Sequence, residues 1–269
     1  MILQVGGKDA YAYTGGKAFN PKLPTIAFVH GALNDHTVWT LLARWSAHHG
    51  HSVLAVDLPG HMRSAGPALE SVEAMADWLL SLLDAAGVQR AALAGHSLGS
   101  LVALEAAGRA PERVTHLAML GTAYPMKVSD VLLETSRDDP HRAIDMVVAW
   151  SISSLASKPS YPSPGVWLHG AERAYSRMIL AHQGDSLLYH KDFAACDRYA
   201  HGMEAAARIT CPTTLVLAER DQMTMPKAAR TIAAALKADV RTVPGGHFLM
   251  QESPDDVLNA LRHLAGASA

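Results

Sequence analysis

The sequence predicts an α/β fold built on a mostly parallel sheet. Two observations lead to this prediction: short runs that are apolar throughout recur along the chain, and longer segments with helical spacing of apolar residues separate them. Continuous apolar runs are typical of strands covered on both faces, as in a parallel sheet. Alternation of such strands with helices indicates an open sheet with right-handed crossovers.

Six apolar runs are the predicted strands. In chain order they are Thr25–Val29, Ser52–Val56, Ala91–Ala94, His116–Leu120, Thr213–Ala218 and Val240–Val243. Open α/β sheets place their active sites just past the carboxyl ends of their strands. The residues that follow these runs are therefore the first candidates for a functional site.

Four helices are predicted between and after these strands. The first begins after Ser71, a residue type favoured at N-caps, and ends at Gly87 because glycine commonly terminates a helix. A second covers Leu98–Arg109, and Pro111 prevents it from continuing. The remaining two are predicted over Pro226–Leu236 and Asp255–Leu264.

The strand pattern stops between Tyr124 and Arg208. Helical segments are predicted there, around Val128–Leu155 and Glu172–Leu188, on either side of a Pro/Ser loop at Ser157–Gly165. We therefore expect a helical insertion between two strands of the sheet. The predicted domain organisation is a core formed by residues 1–124 and 209–269 and an inserted helical domain at residues 125–208.

Composition limits the function classes that fit. The 269 residues can form one large domain or two small ones with a sizeable core, and 49% are hydrophobic, which excludes global disorder. Lys and Arg number 23 against 25 Asp and Glu, so no basic surface for nucleic acid is expected. The sequence contains no apolar stretch of about 18 residues, so no membrane span is predicted. The N-terminus lacks the pattern of a secretory signal, so a cytoplasmic location is expected.

Neither the cysteines nor the clustered histidines predict a disulfide or a metal site. Cys196 and Cys211 are too few for a disulfide framework and match no zinc spacing, so two reduced, mostly buried thiols are expected. His48, His49 and His51 have no carboxylate at ligand spacing, and we interpret them as a solvated helix end. No metal and no cofactor are predicted.

The segment Gly95-His-Ser-Leu-Gly99 predicts a nucleophile elbow. It follows a predicted strand and opens a predicted helix, which is the context that a Gly-x-Ser-x-Gly motif requires. The sharp turn exposes the Ser97 hydroxyl at the carboxyl end of the sheet, and the small residues beside it avoid collisions. The helix that follows directs its positive N-terminal end at the same point. Ser97 is the predicted nucleophile.

A serine nucleophile needs a base and a group that orients the base. His247 and Asp221 each follow a predicted strand. The chain order Ser97, Asp221, His247 is the order of nucleophile, acid and base in the fold where a Gly-x-Ser-x-Gly elbow occurs. His247 is the predicted general base and Asp221 the acid that orients it. Glu219 is the alternative acid, and His96 is expected to pack or form hydrogen bonds beneath the elbow.

Two backbone N–H groups are predicted to form an oxyanion hole. Leu98 supplies one by its position after the nucleophile, and Ala32, in the loop after the first predicted strand, supplies the other. Gly31 lets this loop approach the site closely. The residues that follow, from Asn34 to His36, either cap the next helix or line the pocket.

Taken together, these segments resemble the α/β-hydrolase superfamily. The matching stretches are His30-Gly-Ala-Leu33, Asp57-Leu-Pro-Gly-His-Met-Arg-Ser64, Gly95-His-Ser-Leu-Gly99, Ala218-Glu-Arg-Asp221 and Gly245-Gly-His247. The resemblance implies an eight-stranded, mostly parallel sheet with helices on both faces, a helical lid in place of the insertion, and cofactor-free acyl chemistry. Met62 departs from the pattern, since many relatives have glycine there; it costs the loop backbone freedom and either narrows the pocket or lies at the surface.

The predicted function is hydrolysis of a small or medium carboxylic ester, thioester or lactone through an acyl-enzyme on Ser97. Serine at the elbow argues against the haloalkane dehalogenases and epoxide hydrolases that the resemblance would otherwise include, since both use aspartate there. Carbon–carbon-bond hydrolysis of a diketone, a cofactor-free perhydrolase, and a non-catalytic binding protein of the same fold remain alternatives.

The predicted partner is a small, partly apolar molecule. Aromatic and methionine side chains of the insertion either line its pocket or form the cores of short helices; they are Trp150, Tyr161, Trp167, Tyr175, Tyr189, Tyr199, Met126, Met146 and Met178. An apolar lid could also support a homodimer.

Overall fold

The computed structural model describes residues 1–154, 167–182 and 184–265, and it contains an eight-stranded sheet. The strands are β1 (Ile2–Val5), β2 (Lys8–Tyr13), β3 (Thr25–Val29), β4 (Ser52–Val56), β5 (Ala91–His96), β6 (Val114–Leu120), β7 (Thr213–Ala218) and β8 (Asp239–Val243). Their order across the sheet is β1-β2-β4-β3-β5-β6-β7-β8. β1 and β2 pair with antiparallel neighbours and all other pairs are parallel, so the mostly parallel sheet is confirmed.

Eleven α-helices accompany the sheet in the described part of the chain. They are α1 (Thr40–His48), α2 (Val72–Ala85), α3 (Leu98–Arg109), α4 (Asp130–Asp138), α5 (Pro140–Ser151), α6 (Leu168–His182), α7 (Leu188–Arg198), α8 (Gly202–Arg208), α9 (Arg230–Ala235), α10 (Leu249–Glu252) and α11 (Pro254–Leu261). A 3₁₀ helix at His36–Trp39 leads into α1, and others precede α9 and follow α11. No described helix has the length and hydropathy to cross a bilayer.

Helices cover both faces of the sheet, as expected. Successive residues of β5 belong to different clusters: Ala91 and Leu93 pack with α2 and α3, whereas Ala92 and Ala94 pack with α1 and α11. Every residue of β3, β4 and β5 is buried. This two-sided burial is the physical reason that the central strands are apolar throughout.

Among the described residues, five helices, α4 to α8, lie between β6 and β7. They correspond to the predicted helical insertion. One continuous helix was expected around Val128–Leu155, but two helices occur there, because Asp139 caps α5 and Pro140 is its first residue. A third cluster of buried apolar residues contains side chains of the four helices α4, α5, α6 and α7 together with Leu33 and Phe248 of the core. The predicted loop at residues 157–165, with Tyr161, lies outside the described residues.

Two local predictions were wrong or incomplete. The apolar runs do not reveal the hairpin of β1 and β2, because these two strands are only partly buried and β2 alternates instead of being apolar throughout. His48 and His49 are exposed at the end of α1, but His51 is buried, since it leads directly into β4.

Cys196 is buried and Cys211 half-buried, and both are free thiols.

Candidate active site

Ser97 lies on a sharp turn between β5 and α3. Its backbone has φ +52° and ψ −120°, a conformation that is costly for a non-glycine residue. A Cβ atom on Gly95 would collide with the carbonyl oxygen of Gly99, and one on Gly99 would collide with that of Val29. Both glycines are therefore required by close backbone approach, and the turn is fixed further by a hydrogen bond from the Ser97 N–H to the Leu120 carbonyl (3.0 Å).

Asp221 and His247 meet beyond the ends of β7 and β8. The distance between Asp221 Oδ2 and His247 Nδ1 is 2.9 Å. The carboxylate also accepts hydrogen bonds from the N–H groups of Met223 and Thr224 (both 2.8 Å) and from the Thr224 hydroxyl (2.7 Å). Burial alone would raise the pKa of Asp221, but the electrostatic interaction with His247 and the hydrogen bonds from His247 and Thr224 hold it below its usual value.

Glu219, the alternative acid, and His96, the histidine beside Ser97, have surroundings that differ from those of Asp221 and His247. Glu219 is exposed and no described group bonds its carboxylate, so the structure places Asp221 and not Glu219 against His247. His96 is buried beneath the elbow, with Nε2 2.9 Å from the His247 carbonyl oxygen. Burial, together with the electrostatic interaction with the nearby His247 ring, lowers the pKa of His96 to about 3, so it stays neutral and donates this bond.

The loop that carries His247 is attached to the end of α5. The His247 N–H donates to the Ser151 carbonyl oxygen (2.7 Å), and the Gly246 N–H donates to Glu252 Oε1 (2.8 Å). Glu252 also accepts a hydrogen bond from the Ser153 N–H (3.2 Å). A Cβ atom on Gly246 would collide with the Ser151 carbonyl, which explains the second glycine of Gly245-Gly246.

Ala32 and Leu98 both lie beside Ser97. Leu98 is the first residue of α3, so its N–H has no acceptor within the helix. Ala32 lines the same cavity as Ser97 and His247, and the Asn34 side-chain amide donates to its carbonyl oxygen (2.9 Å). Gly31 approaches the Ser97 Cβ so closely that a Cβ of its own would lie 3.2 Å away. The structure thus brings all five predicted site residues together.

A buried pair beneath Ala32 fixes the loop. Leu33 has φ +49°, and its N–H donates to Asp192 Oδ2 (2.8 Å) in α7. The same oxygen lies 3.0 Å from His61 Nε2. Burial alone would lower the pKa of His61, but the charge of Asp192 and its hydrogen bond raise it above the usual value, so the two form an ion pair.

A second contact joins the same loop to α6. The Tyr175 hydroxyl donates to Asp35 Oδ1 (2.6 Å) and accepts from the Asp35 N–H (2.8 Å). Asp35 also caps the 3₁₀ helix by accepting from the Thr37 N–H, so the capping interpretation fits this residue. Burial raises the pKa of Tyr175 well above its usual value, and the nearby Asp35 charge adds to this effect.

One group of three side chains in the described part of the chain has the spacing of a metal site. Ligand atoms of Asp35, His36 and Asp57 lie within 4.8 Å of one another. Asp57 Oδ1, however, is 2.7 Å from His36 Nδ1 and also accepts the His36 N–H, while Oδ2 accepts the Arg63 N–H. These bonds use the ligand atoms internally, so we assign the group to loop structure.

Met62 is the residue that departs from the resemblance. It adopts φ +37°, the left-handed region that favours glycine, so the expected cost in backbone freedom applies. Its half-buried side chain packs against the apolar cluster that joins the insertion to the core. That packing offsets part of the conformational cost.

Several site residues were missed by sequence reasoning. Thr224 lies three residues after Asp221, and an aspartate commonly accepts hydrogen bonds from backbone groups at such a spacing. This local pattern was the available sequence signal for Thr224. His61, Asp192, Tyr175 and Glu252 act through partners distant in the chain, and no local pattern marks them.

Comparisons with known proteins agree with the fold. The family model for the alpha/beta hydrolase fold matches residues 24–254. The protein named "Putative carbamate hydrolase RutD" of Pseudomonas syringae pv. syringae (strain B728a) is 30% identical over 257 residues, which cover 89% of this chain and 92% of that one. The dihydrolipoyllysine-residue acetyltransferase component of the acetoin cleaving system of Pseudomonas putida is 37% identical over 123 residues, 45% of this chain and 32% of that protein.

Among solved structures, the enol-lactonase from Burkholderia xenovorans LB400 superposes with a TM-score of 0.82. The match covers 98% of this chain and 99% of that chain at 20% sequence identity, so it bears on the fold alone. The family match and the sequence relatives support a hydrolase. The chain belongs to the alpha/beta hydrolase fold family.

Proposed function

We propose that the protein is a serine hydrolase that cleaves a small or medium carboxylic ester, thioester or lactone. His247 takes the proton of Ser97 as Oγ bonds to the substrate carbonyl carbon, and the N–H groups of Ala32 and Leu98 stabilise the oxyanion. The bond to the alkoxide then breaks, and His247 passes the proton to it. Water, activated by the same histidine, releases the acid from Ser97.

The observation that carries this proposal is the position of His247. Its Nδ1 is bonded to Asp221, which leaves Nε2 for a proton acceptor role, and its ring lines the cavity that Ser97 also lines. The Asp221 carboxylate has a lowered pKa, so it stays charged at neutral pH and stabilises the imidazolium that forms.

We also propose that residues 125–208 act as a lid over this site. Support comes from the lining of the cavity, to which α4, α5 and α7 contribute Leu132, Trp150 and Phe193. Asp192 of α7 is bonded to the loop of Ala32 and Leu33, which we call the oxyanion loop, and Ser151 of α5 is bonded to the loop of His247. A lid in this position excludes water from the acyl-enzyme until the first product leaves.

Carbamate hydrolysis is a second candidate. The RutD relative, aligned over nearly the whole chain, is named for that reaction, and a carbamate carbonyl would use the same nucleophile and oxyanion donors. Comparing phenyl carbamate with phenyl acetate as substrates separates the two candidates. A ring-cleavage dienol assayed beside them tests the carbon–carbon-bond alternative, which fails if only the esters are turned over.

The decisive experiment is intact-mass analysis after treatment with a fluorophosphonate probe. We expect one adduct on the wild type and none on Ser97→Ala or His247→Ala, because the probe requires a serine activated by its base. The test needs no assumption about the substrate. Circular dichroism of each variant controls for folding. Labelling that survives Ser97→Ala would exclude Ser97 as the nucleophile, and a folded wild type that takes up no probe would contradict the proposal.

A further inference from the structure

Ser97 and His247 lie between two cavities of very different size. One has a volume of about 210 Å³ and the other about 30 Å³. Both are lined by Ser97 and His247, and also by Ala32, Phe193 and Met223. A carbonyl carbon attached to Ser97 therefore has one small space and one large space for its two substituents.

The small cavity is lined by buried and half-buried residues. Val147 and Val148 of α5, Tyr189 of α7 and Phe248 form its apolar part, and none of its lining residues is exposed. Its volume is about one seventh of that of the large cavity. A short acyl group such as acetyl or propionyl therefore suits this space better than a long chain.

The large cavity reaches the surface of the described structure. Exposed residues line part of it, namely Lys127, Ser129, Trp150 and Gln222. Met126 and Leu132 form a buried apolar part of its wall. This cavity offers a longer apolar group both a lining and a route outwards.

Phe193 forms the partition between the two spaces. Its side chain is 6% exposed, lines both cavities, and packs on the Tyr189 ring with 4.4 Å between ring centroids. Met223 is the other long side chain that both cavities share. Truncation of Phe193 would join the two spaces and remove the limit on the smaller one.

We propose that the small cavity holds the acyl group and the large cavity the alcohol, with Phe193 as the residue that limits acyl length. The substrate class is then esters of two- or three-carbon acids with longer apolar alcohols. This inference rests on the proposed function. The acyl group stays bonded to Ser97 while the alcohol departs first, so the cavity that reaches exposed residues is the one that suits the alcohol.

A pair of isomeric esters tests this assignment directly. Hexyl acetate and methyl heptanoate carry the same hexyl chain on opposite sides of the ester group. We expect the wild type to favour hexyl acetate in kcat/KM by about tenfold or more, because each methylene that a pocket cannot accommodate weakens transition-state binding. Alkaline hydrolysis of both esters supplies the chemical reference ratio.

Variants on either side of the partition sharpen the test. Phe193→Ala is expected to raise kcat/KM for methyl heptanoate and bring the ratio towards one, and Phe193→Leu provides a milder change if the alanine variant folds poorly. Leu132→Ala is the matched control, since Leu132 lines only the large cavity. It should weaken the preference for hexyl over ethyl acetate without improving methyl heptanoate.

The outcomes separate this inference from the proposed function. If the fluorophosphonate labels Ser97 but the wild type hydrolyses the two isomers equally or prefers methyl heptanoate, the cavity assignment is wrong and the serine mechanism stands. If a folded Phe193→Leu or Phe193→Ala protein keeps the wild-type ratio, Phe193 is not the limiting residue. Absence of labelling at Ser97 overturns the proposed function and this inference together.

Discussion

The two sides of the candidate site are held in different ways. On the acid–histidine side, Asp221 is bonded by Thr224, three residues away, and by His247, 26 residues away. On the oxyanion side, Leu33 is bonded by Asp192, 159 residues away, and Asp35 by Tyr175, 140 residues away. The first set belongs to the ends of β7 and β8, whereas the second set comes from α6 and α7.

The helical insertion therefore holds part of the candidate site in addition to lining its cavity. The side chains that set the contact between acid and histidine belong to the core, and the insertion adds a backbone bond from Ser151 to the His247 loop. The oxyanion loop, in contrast, depends on side chains that the insertion supplies. Changes at Asp221 should therefore alter catalysis with little effect on the insertion, and changes at Asp192 should alter stability and the oxyanion loop together.

The largest expected effect is on the acid–histidine side. Asp221→Asn should lower kcat on a turned-over ester by about 10⁴-fold, because an amide no longer fixes the histidine tautomer or stabilises the imidazolium. Steady-state kinetics with a purified, folded variant measure this loss. The free energy of unfolding should change much less than the activation free energy.

Glu219→Gln is the matched control for that prediction. Glu219 lies two residues from Asp221 but is exposed, so its variant should keep wild-type kcat. A strong loss at Glu219 combined with a mild loss at Asp221 would reverse the assignment of the acid.

The same contrast explains how much of the site was predictable. Ser97, Asp221, His247, Ala32 and Leu98 could be predicted because each lies within four residues of the end of a strand, and the carboxyl ends of parallel strands meet at one edge of the sheet. Asp192 and Tyr175 lie inside helices whose local patterns only indicate helix. Their contacts arise from tertiary packing of the insertion, which a single sequence does not encode locally.

The next effect concerns the pair beneath the oxyanion loop. Asp192→Ala should lower the free energy of unfolding by about 4 kcal/mol, since it leaves His61 and the Leu33 N–H without their buried acceptor. It should also lower kcat by about tenfold or more, because Leu33 positions the neighbouring Ala32 N–H. Urea denaturation and ester kinetics measure the two effects.

Asp192→Asn separates the hydrogen bond from the charge. Its amide oxygen can still accept the Leu33 N–H, so we expect a smaller loss of stability, about 1–2 kcal/mol, and a kcat near that of the wild type. Equal kcat losses in the two variants would indicate that the charge, not the hydrogen bond, holds the oxyanion loop.

The smallest effect depends on pH and lies on the insertion side. Glu172 of α6 is almost fully buried, and burial raises its pKa to about 7 despite hydrogen bonds from Gln251 and Ser176. In the unfolded chain its value is near 4.5, so between these two pH values the folded state keeps a proton that the unfolded state has released. Stability therefore falls as pH rises through this window and levels off above it.

Glu172→Gln removes this titration while keeping groups that can bond to Gln251 and Ser176. The variant should match the wild type in stability below about pH 4.5 and exceed it by up to about 3 kcal/mol above pH 7, because the wild type must bury a charge near Asp35 there. Urea denaturation at pH 4.5 and pH 8 measures the difference. A difference that is the same at both pH values would mean that Glu172 does not keep its proton in the folded state. The insertion would then hold the oxyanion side through Asp192 and Tyr175, and Glu172 would add no pH dependence to the free energy of unfolding.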